Sequence, residues 1–288
     1  MFIGNHDTVL DYFPKNPGAC LMIVSKEEWQ ERADSTFIDN MNGATKEIIE
    51  NYACTTSDAA PIDKGRLERS SFQLRRRMGP WMPMAGVNAL DIGCGRGEML
   101  YMLAQHGIKE LAGVNLCGKE LEIAEQYVDA ELVCKDAIEY LEQTDRKFDL
   151  ITAFNFLEHL DKNNLLRCLR GISRCLKNRG HLIAMIPNAV SPYGTLTRHW
   201  DFTHEWAFTP NNFRQLAVLA GMDPNLEVRE CGPIPHGFVS GIRWLLWKIV
   251  VQCIRFRLMV EVGDDKGGVY TMDMLVRLRK QLQPEQNF

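Results

Sequence analysis

The 288-residue sequence has no C-x-x-C pair, no excess of positive charge and no charge-free apolar run long enough to cross a bilayer. Each absence removes a class of protein. Nine cysteines, an odd number at scattered positions, fit a reducing compartment and not a secreted disulfide scaffold. A net charge of −4 gives no global attraction to nucleic acid, so any polyanion would have to be met locally. Met1–Asp7 lacks a basic region followed by an apolar core, so no signal peptide is expected and the location reads as cytoplasmic, or at the inner face of the membrane. What remains is a chain with 45% hydrophobic residues, enough for a substantial core in one large domain with additions.

The middle of the chain carries the organisation. From Val87 onward, short apolar runs alternate with helical spacing: strands at Asn88–Asp91, Glu110–Val114, Glu131–Val133, Phe148–Phe154 and His181–Ile186, separated by helices. Leu226–Glu230 and Val269–Leu278 add strands six and seven. The pattern predicts an α/β fold: a Rossmann-like, seven-stranded, mostly parallel sheet with helices on both faces, an N-terminal helical cap and an insertion before the last strand. The expected division is 1–80 for the cap, 81–232 for the core, 233–267 for the insertion and 268–288 for the last strand and tail.

At the end of the first strand stands Asp91-Ile92-Gly93-Cys94-Gly95-Arg96-Gly97. Glycines at such a bend let a nucleotide approach the backbone. Their G-x-G-x-G order, with an acid two residues ahead, is not the dinucleotide fingerprint. It resembles motif I of the class I S-adenosylmethionine-dependent methyltransferases. Further stretches carry the resemblance: Gly113-Val114-Asn115 after strand two, Asp136-Ala137 after strand three, Phe148–Asn155, and Gly180 followed by Leu182–Pro187. It implies S-adenosylmethionine as cofactor, held by Asp91, Gly93, Cys94, Gly95, Gly97, Asn115, Leu116, Asp136, Ala137 and Asn155. In the family, an acid at the Asn115 position grips both ribose hydroxyls, and the Asp136 carboxylate accepts from the adenine amino group. Asn115 departs from that pattern, because an amide cannot accept from both hydroxyls as a carboxylate does. Cys94 is expected to pack and not to react.

Glu158-His159 and the later Asp201–Pro210 segment resemble a branch containing ubiquinone-biosynthesis O-methyltransferases, sugar methyltransferases and small-RNA 2′-hydroxyl methyltransferases. From the last of these the resemblance implies a divalent metal on Asn155, Glu158, His159 and His204, with Asn155 in place of a carboxylate. A helix starting here would put Asn155, Glu158 and His159 on one face. The metal-free reading makes His204 a general base, its ring oriented by Asp201 or Glu205, with Glu158 and His159 capping and packing the helix. Tyr193, Arg198, His199 and Trp200 serve equally as a stacking surface or as loop anchors.

Helical spacing at Lys26–Asp34 and Gly43–Ala53 precedes a basic stretch, Arg66–Arg77, which is either a solvated helix face or a contact for a phosphate-bearing acceptor or anionic membrane. The insertion mixes tryptophans, aliphatics and cations over Phe238–Val260. It suits peripheral membrane contact, and equally burial against the N-terminal helices or in a homodimer.

The function expected is O-methylation of a hydroxyl on a saccharide or lipid-linked saccharide acceptor. A small aromatic or quinone-like acceptor, metal-dependent RNA 2′-hydroxyl methylation and a non-catalytic cofactor-binding subunit are the alternatives.

Overall fold

The computed structural model describes residues 62–263 and 268–281. The helices expected at Lys26–Asp34 and Gly43–Ala53 lie outside the described residues. Helix α1 (Lys64–Met78) is capped by the Asp63 side chain, which accepts from the Arg66 amide, and it buries Leu67 and Met78. A 3₁₀ turn, Gly79–Trp81, leads into the sheet, with the guanidinium groups of Arg229 and Arg277 against the Trp81 ring, 5.4 and 5.0 Å from its centre.

β1 (Asn88–Ile92), α2 (Glu98–Gln105), β2 (Glu110–Asn115), α3 (Gly118–Glu125), β3 (Glu131–Cys134), α4 (Ala137–Gln143), β4 (Phe148–Phe154), α5 (Lys162–Cys175) and β5 (Leu176–Pro187) alternate as expected. Then come α6 (Gly194–Arg198), α7 (Pro210–Leu219), β6 (Glu227–Glu230), α8 (Phe238–Val262) and β7 (Asp273–Arg279). The sheet order is β3-β2-β1-β4-β5-β7-β6, parallel except that β7 runs antiparallel to both β5 and β6. Ala89, Leu90, Asp91 and Ile92 are all buried, because helices cover both faces of β1. One face packs α4, α5 and α7 through Leu141, Leu169 and Phe213; the other packs α1 and α2 through Leu67, Leu100 and Leu103.

β7 begins four residues later than the alternation suggests. Asn188 intercepts the carbonyls of Val269 and Thr271 with its side-chain amide, and the Thr271 hydroxyl donates to the Asp273 carbonyl, so this stretch pairs with a loop before it can pair with β5. The order reverses between β2-β1 and β4, which opens a crevice at the carboxyl ends of β1 and β4.

Candidate active site

The glycine loop leaves β1 at that crevice. Gly93, Gly95 and Gly97 all take positive φ (66, 50 and 85°), and the Gly93 and Cys94 amides donate to the Val114 carbonyl at 2.9 and 3.1 Å, pinning the loop against β2. A Cβ on Gly93 would lie 2.5 Å from the Phe156 ring, so the loop and the segment after β4 meet only because this residue is glycine. Asp91 is buried under the loop, accepts from the Thr152 hydroxyl at 2.6 Å, and has its carboxyl pushed up to about 7, chiefly by burial. Cys94 is buried with its thiol raised by burial and by Asp91, which makes it a packing residue as expected.

Asn115 ends β2, half-buried, with its amide nitrogen donating to the Glu120 carboxylate at 2.8 Å and to the Cys117 carbonyl at 3.2 Å. A Cβ on Gly95 would sit 4.0 Å from the same Glu120 oxygen. A carboxylate therefore stands beside the loop after all, supplied by the first turn of α3. Asp136 caps α4: its Oδ1 accepts from the Ile138 and Glu139 amides, and burial raises its carboxyl despite those bonds. Ala137 is buried behind it, and Leu116 is half-buried, its carbonyl accepting from the Cys134 thiol.

On the acceptor side the expected shared helical face does not form. Asn155 turns into the left-handed region (φ 51°), and Leu157–His159 makes a single 3₁₀ turn. Glu158 and His159 are instead brought to His204 by the loop after β5, where the Glu205 amide donates to the Glu158 carbonyl at 2.8 Å. One ligand atom from each of Glu158, His159 and His204 falls within 4.8 Å of the others. The rings of His159 and His204 meet edge to face at 4.8 Å.

The orientation of His204 also differs from the expectation. Its Nδ1 faces the Thr197 carbonyl at 2.9 Å; neither Asp201 nor Glu205 holds it. A carbonyl only accepts, so Nδ1 carries the proton and Nε2 keeps its lone pair. Asp201 serves the other histidine. Its Oδ1 accepts from the Thr203 hydroxyl at 2.7 Å, and that hydroxyl lies 2.7 Å from His159 Nδ1, which must then donate. Burial, with His204 opposite, holds His159 down at about 4 and therefore neutral. Glu158 is 1% exposed, its Oε2 has no partner, and burial pushes its carboxyl up to about 8.

Two charged groups near this cluster were not singled out as site residues from sequence. Arg77 of α1 spends Nη1 on the Met185 thioether at 3.5 Å and leaves a buried Nε without a partner. Asp273, at the start of β7 and opposite Pro187, feels both Arg77 and His204. Arg77 was visible only as one cation in a basic stretch, and Asp273 had no distinguishing signal.

A glycine-loop crevice at the switch point, under an all-but-last parallel sheet with β7 reversed, defines the class I methyltransferase fold, whose cofactor is S-adenosylmethionine. Residues 90–184 match the family described as a methyltransferase domain. Among relatives, it is 26% identical over 181 residues to the mitochondrial ubiquinone biosynthesis O-methyltransferase of Arabidopsis thaliana, covering 57% of this chain and 54% of that one. It is 30% identical over 128 residues to the 27-O-demethylrifamycin SV methyltransferase of Amycolatopsis mediterranei, covering 42% and 46%. The chain thus spans about half the length of the curated relatives it matches. A solved S-adenosylmethionine-dependent methyltransferase from Archaeoglobus fulgidus superposes with a TM-score of 0.54 at 23% identity, over 74% of this chain and 94% of that one, a likeness of fold. Among the described residues no helix is long and apolar enough to cross a membrane.

Proposed function

We propose that this protein transfers a methyl group from S-adenosylmethionine to a hydroxyl oxygen. The observation that carries the reading is the meeting of the glycine loop, through Phe156 on Gly93, with a Glu158-His159-His204 cluster in which Glu158 is buried and both histidines are half-buried. The names of both relatives above, each acting on oxygen, support the same reading. When bound, S-adenosylmethionine supplies an electrophilic methyl group, so the protein has chiefly to align the acceptor and exclude water. In this reading Glu120, held by Asn115, takes the ribose hydroxyls, and the second oxygen of Asp136 accepts from the adenine amino group. His204 presents Nε2 to the acceptor hydroxyl and takes its proton as the new C–O bond forms.

A base of this kind suits an aliphatic hydroxyl, a far weaker acid than a phenol near pH 10. That favours a saccharide or lipid-linked saccharide, approached past the exposed Tyr193 and Phe202. A quinone-type phenol is the second acceptor class, supported by the likeness to the ubiquinone biosynthesis O-methyltransferase of Arabidopsis thaliana. A divalent cation is the second reading of the cluster, favoured by the unpartnered Glu158 oxygen. Glu158, His159 and His204 would hold it, and it would supply polarisation of the acceptor hydroxyl. The Asp201-Thr203 relay behind His159 and the Thr197 carbonyl behind His204 are the kind of support that fixes ligating rings.

Calorimetric titration with S-adenosylhomocysteine, followed by a hydroxyl-acceptor panel with and without chelator, tests the function. One-to-one binding with methylation of a sugar hydroxyl supports it, and loss in chelator with recovery in manganese or zinc selects the metal reading. In His204→Ala, turnover should fall about 100-fold or more with cofactor affinity kept within twofold. Cofactor binding without any turnover would point instead to a regulatory subunit.

A further inference from the structure

Helix α8 is apolar on two opposite faces, which is why its sequence shows no single stripe. Trp247, Val251, Ile254 and Leu258, with the buried Ser240, lie on the side that faces the body of the protein, where Trp247 Nε1 donates to Glu230 of β6 at 3.0 Å and Lys248 pairs with the same carboxylate. The other side carries Phe238, Ile242, Leu245, Ile249, Phe256 and Val260, exposed by 85, 45, 58, 55, 63 and 71%. Their spacing puts them in one arc of roughly 100° with no charged residue inside it. A soluble helix docked by one face normally shows water a polar face. This one shows water its aliphatic and aromatic residues.

The surroundings of the arc are cationic. Arg243, Lys248, Arg255 and Arg257 stand on α8 against the single acid Glu261. Helix α1 carries Lys64, Arg66, Arg69, Arg75, Arg76 and Arg77 against the single acid Glu68. The two helices adjoin: Phe72 of α1 meets His236, one residue before the N-cap of α8, with ring centres 6.3 Å apart, and Arg76 lies over Phe72 at 5.6 Å. In a chain of net charge −4, these two helices carry a concentration of positive charge.

We propose that the outward arc of α8 lies in the interface of an anionic lipid membrane, with Arg75 and Arg76 of α1 and Arg243 and Arg257 of α8 on the headgroups. A second copy of the chain fits less well. Arg243 and Arg257 border the arc on one edge, and a two-fold contact would bring both copies' arginines to one seam with only Glu261 to offset them. An anionic surface turns the same residues into attractive contacts, while the arc gains an apolar medium. The surface does not depend on the methyltransferase reading.

The test is vesicle flotation of the full chain, using phosphatidylcholine alone and phosphatidylcholine with about a third phosphatidylglycerol. Binding should be at least about tenfold stronger to the anionic vesicles and should weaken with salt. Ile249→Glu with Phe256→Glu should reduce it about tenfold or more, and so should Arg75→Glu with Arg76→Glu. Unchanged S-adenosylhomocysteine affinity and far-UV circular dichroism in each variant establish that it is folded. Absence of flotation, or flotation indifferent to Ile249→Glu with Phe256→Glu, overturns the proposal. So does sedimentation of the wild-type chain as a dimer that the same pair of changes converts to monomer.

Discussion

Glu158→Gln should make the protein more stable than wild type at alkaline pH. Glu158 is 1% exposed, and its carboxyl is raised from 4.5 to about 8, chiefly by burial, with the charges of Asp273 and Asp201 adding to the rise. A folded-state pKa above the unfolded one means that the folded protein holds the proton more tightly, so stability falls as pH rises from about 4.5 to about 8 and stays reduced above that. At ~1.4 kcal/mol for each pH unit of the window, the full loss has an upper bound of about 5 kcal/mol. Relaxation and water entry reduce this to on the order of 3 kcal/mol. Glutamine keeps the volume and cannot ionise. Like the protonated acid, it leaves a polar group of Oε2 unpartnered, so the exchange should be nearly neutral at pH 5. Urea melts at pH 5, 7 and 9 should therefore show the variant level with wild type at pH 5 and more stable by about 3 kcal/mol at pH 9. Added zinc or manganese provides a second arm. If the cluster binds metal, the ion should stabilise wild type at pH 8 by mass action and leave the variant unmoved. A stability difference that stays flat from pH 5 to pH 9 in metal-free buffer would refute the burial argument.

Two further changes probe the cofactor side. Glu120→Gln removes the carboxylate that holds the Asn115 amide and should weaken S-adenosylhomocysteine binding about tenfold in calorimetry, the worth of one charge-assisted hydrogen bond; equal affinity would leave the ribose to Asn115 alone. Gly93→Ala imposes a positive φ on a residue with a Cβ and drives that carbon to 2.5 Å from the Phe156 ring. The backbone cost is about 1–2 kcal/mol, and displacement of Phe156 adds to it. A lower thermal midpoint and at least about tenfold weaker cofactor binding are expected, and a variant that binds as wild type would disconnect the loop from the acceptor segment.

The sequence by itself determined the parts whose cause is local. Asp91-x-Gly-x-Gly-x-Gly specified its own loop, because three positive φ angles within five residues need glycine whatever lies around them. The alternation from Asn88 to Pro187 specified five parallel strands through the period of their apolar residues. The departure at Asn115 was legible too. The Glu120 carboxylate that its amide holds lies only five residues on, across a strand–helix turn whose geometry the spacing does not convey.

Tertiary structure decided what depends on distant contacts. It inserted β7 between β5 and β6, antiparallel to both, and moved its start to Asp273 because Asn188 holds the preceding carbonyls. It brought Thr203 to His159, 44 residues away in sequence, and gave His204 to the Thr197 carbonyl in place of an acid. Both roles belong to groups with no pattern of their own. It set Arg77, one of several arginines on α1, against Met185. It also separated the two apolar faces of α8, since periodicity records which residues are apolar and only packing decides which of them are covered.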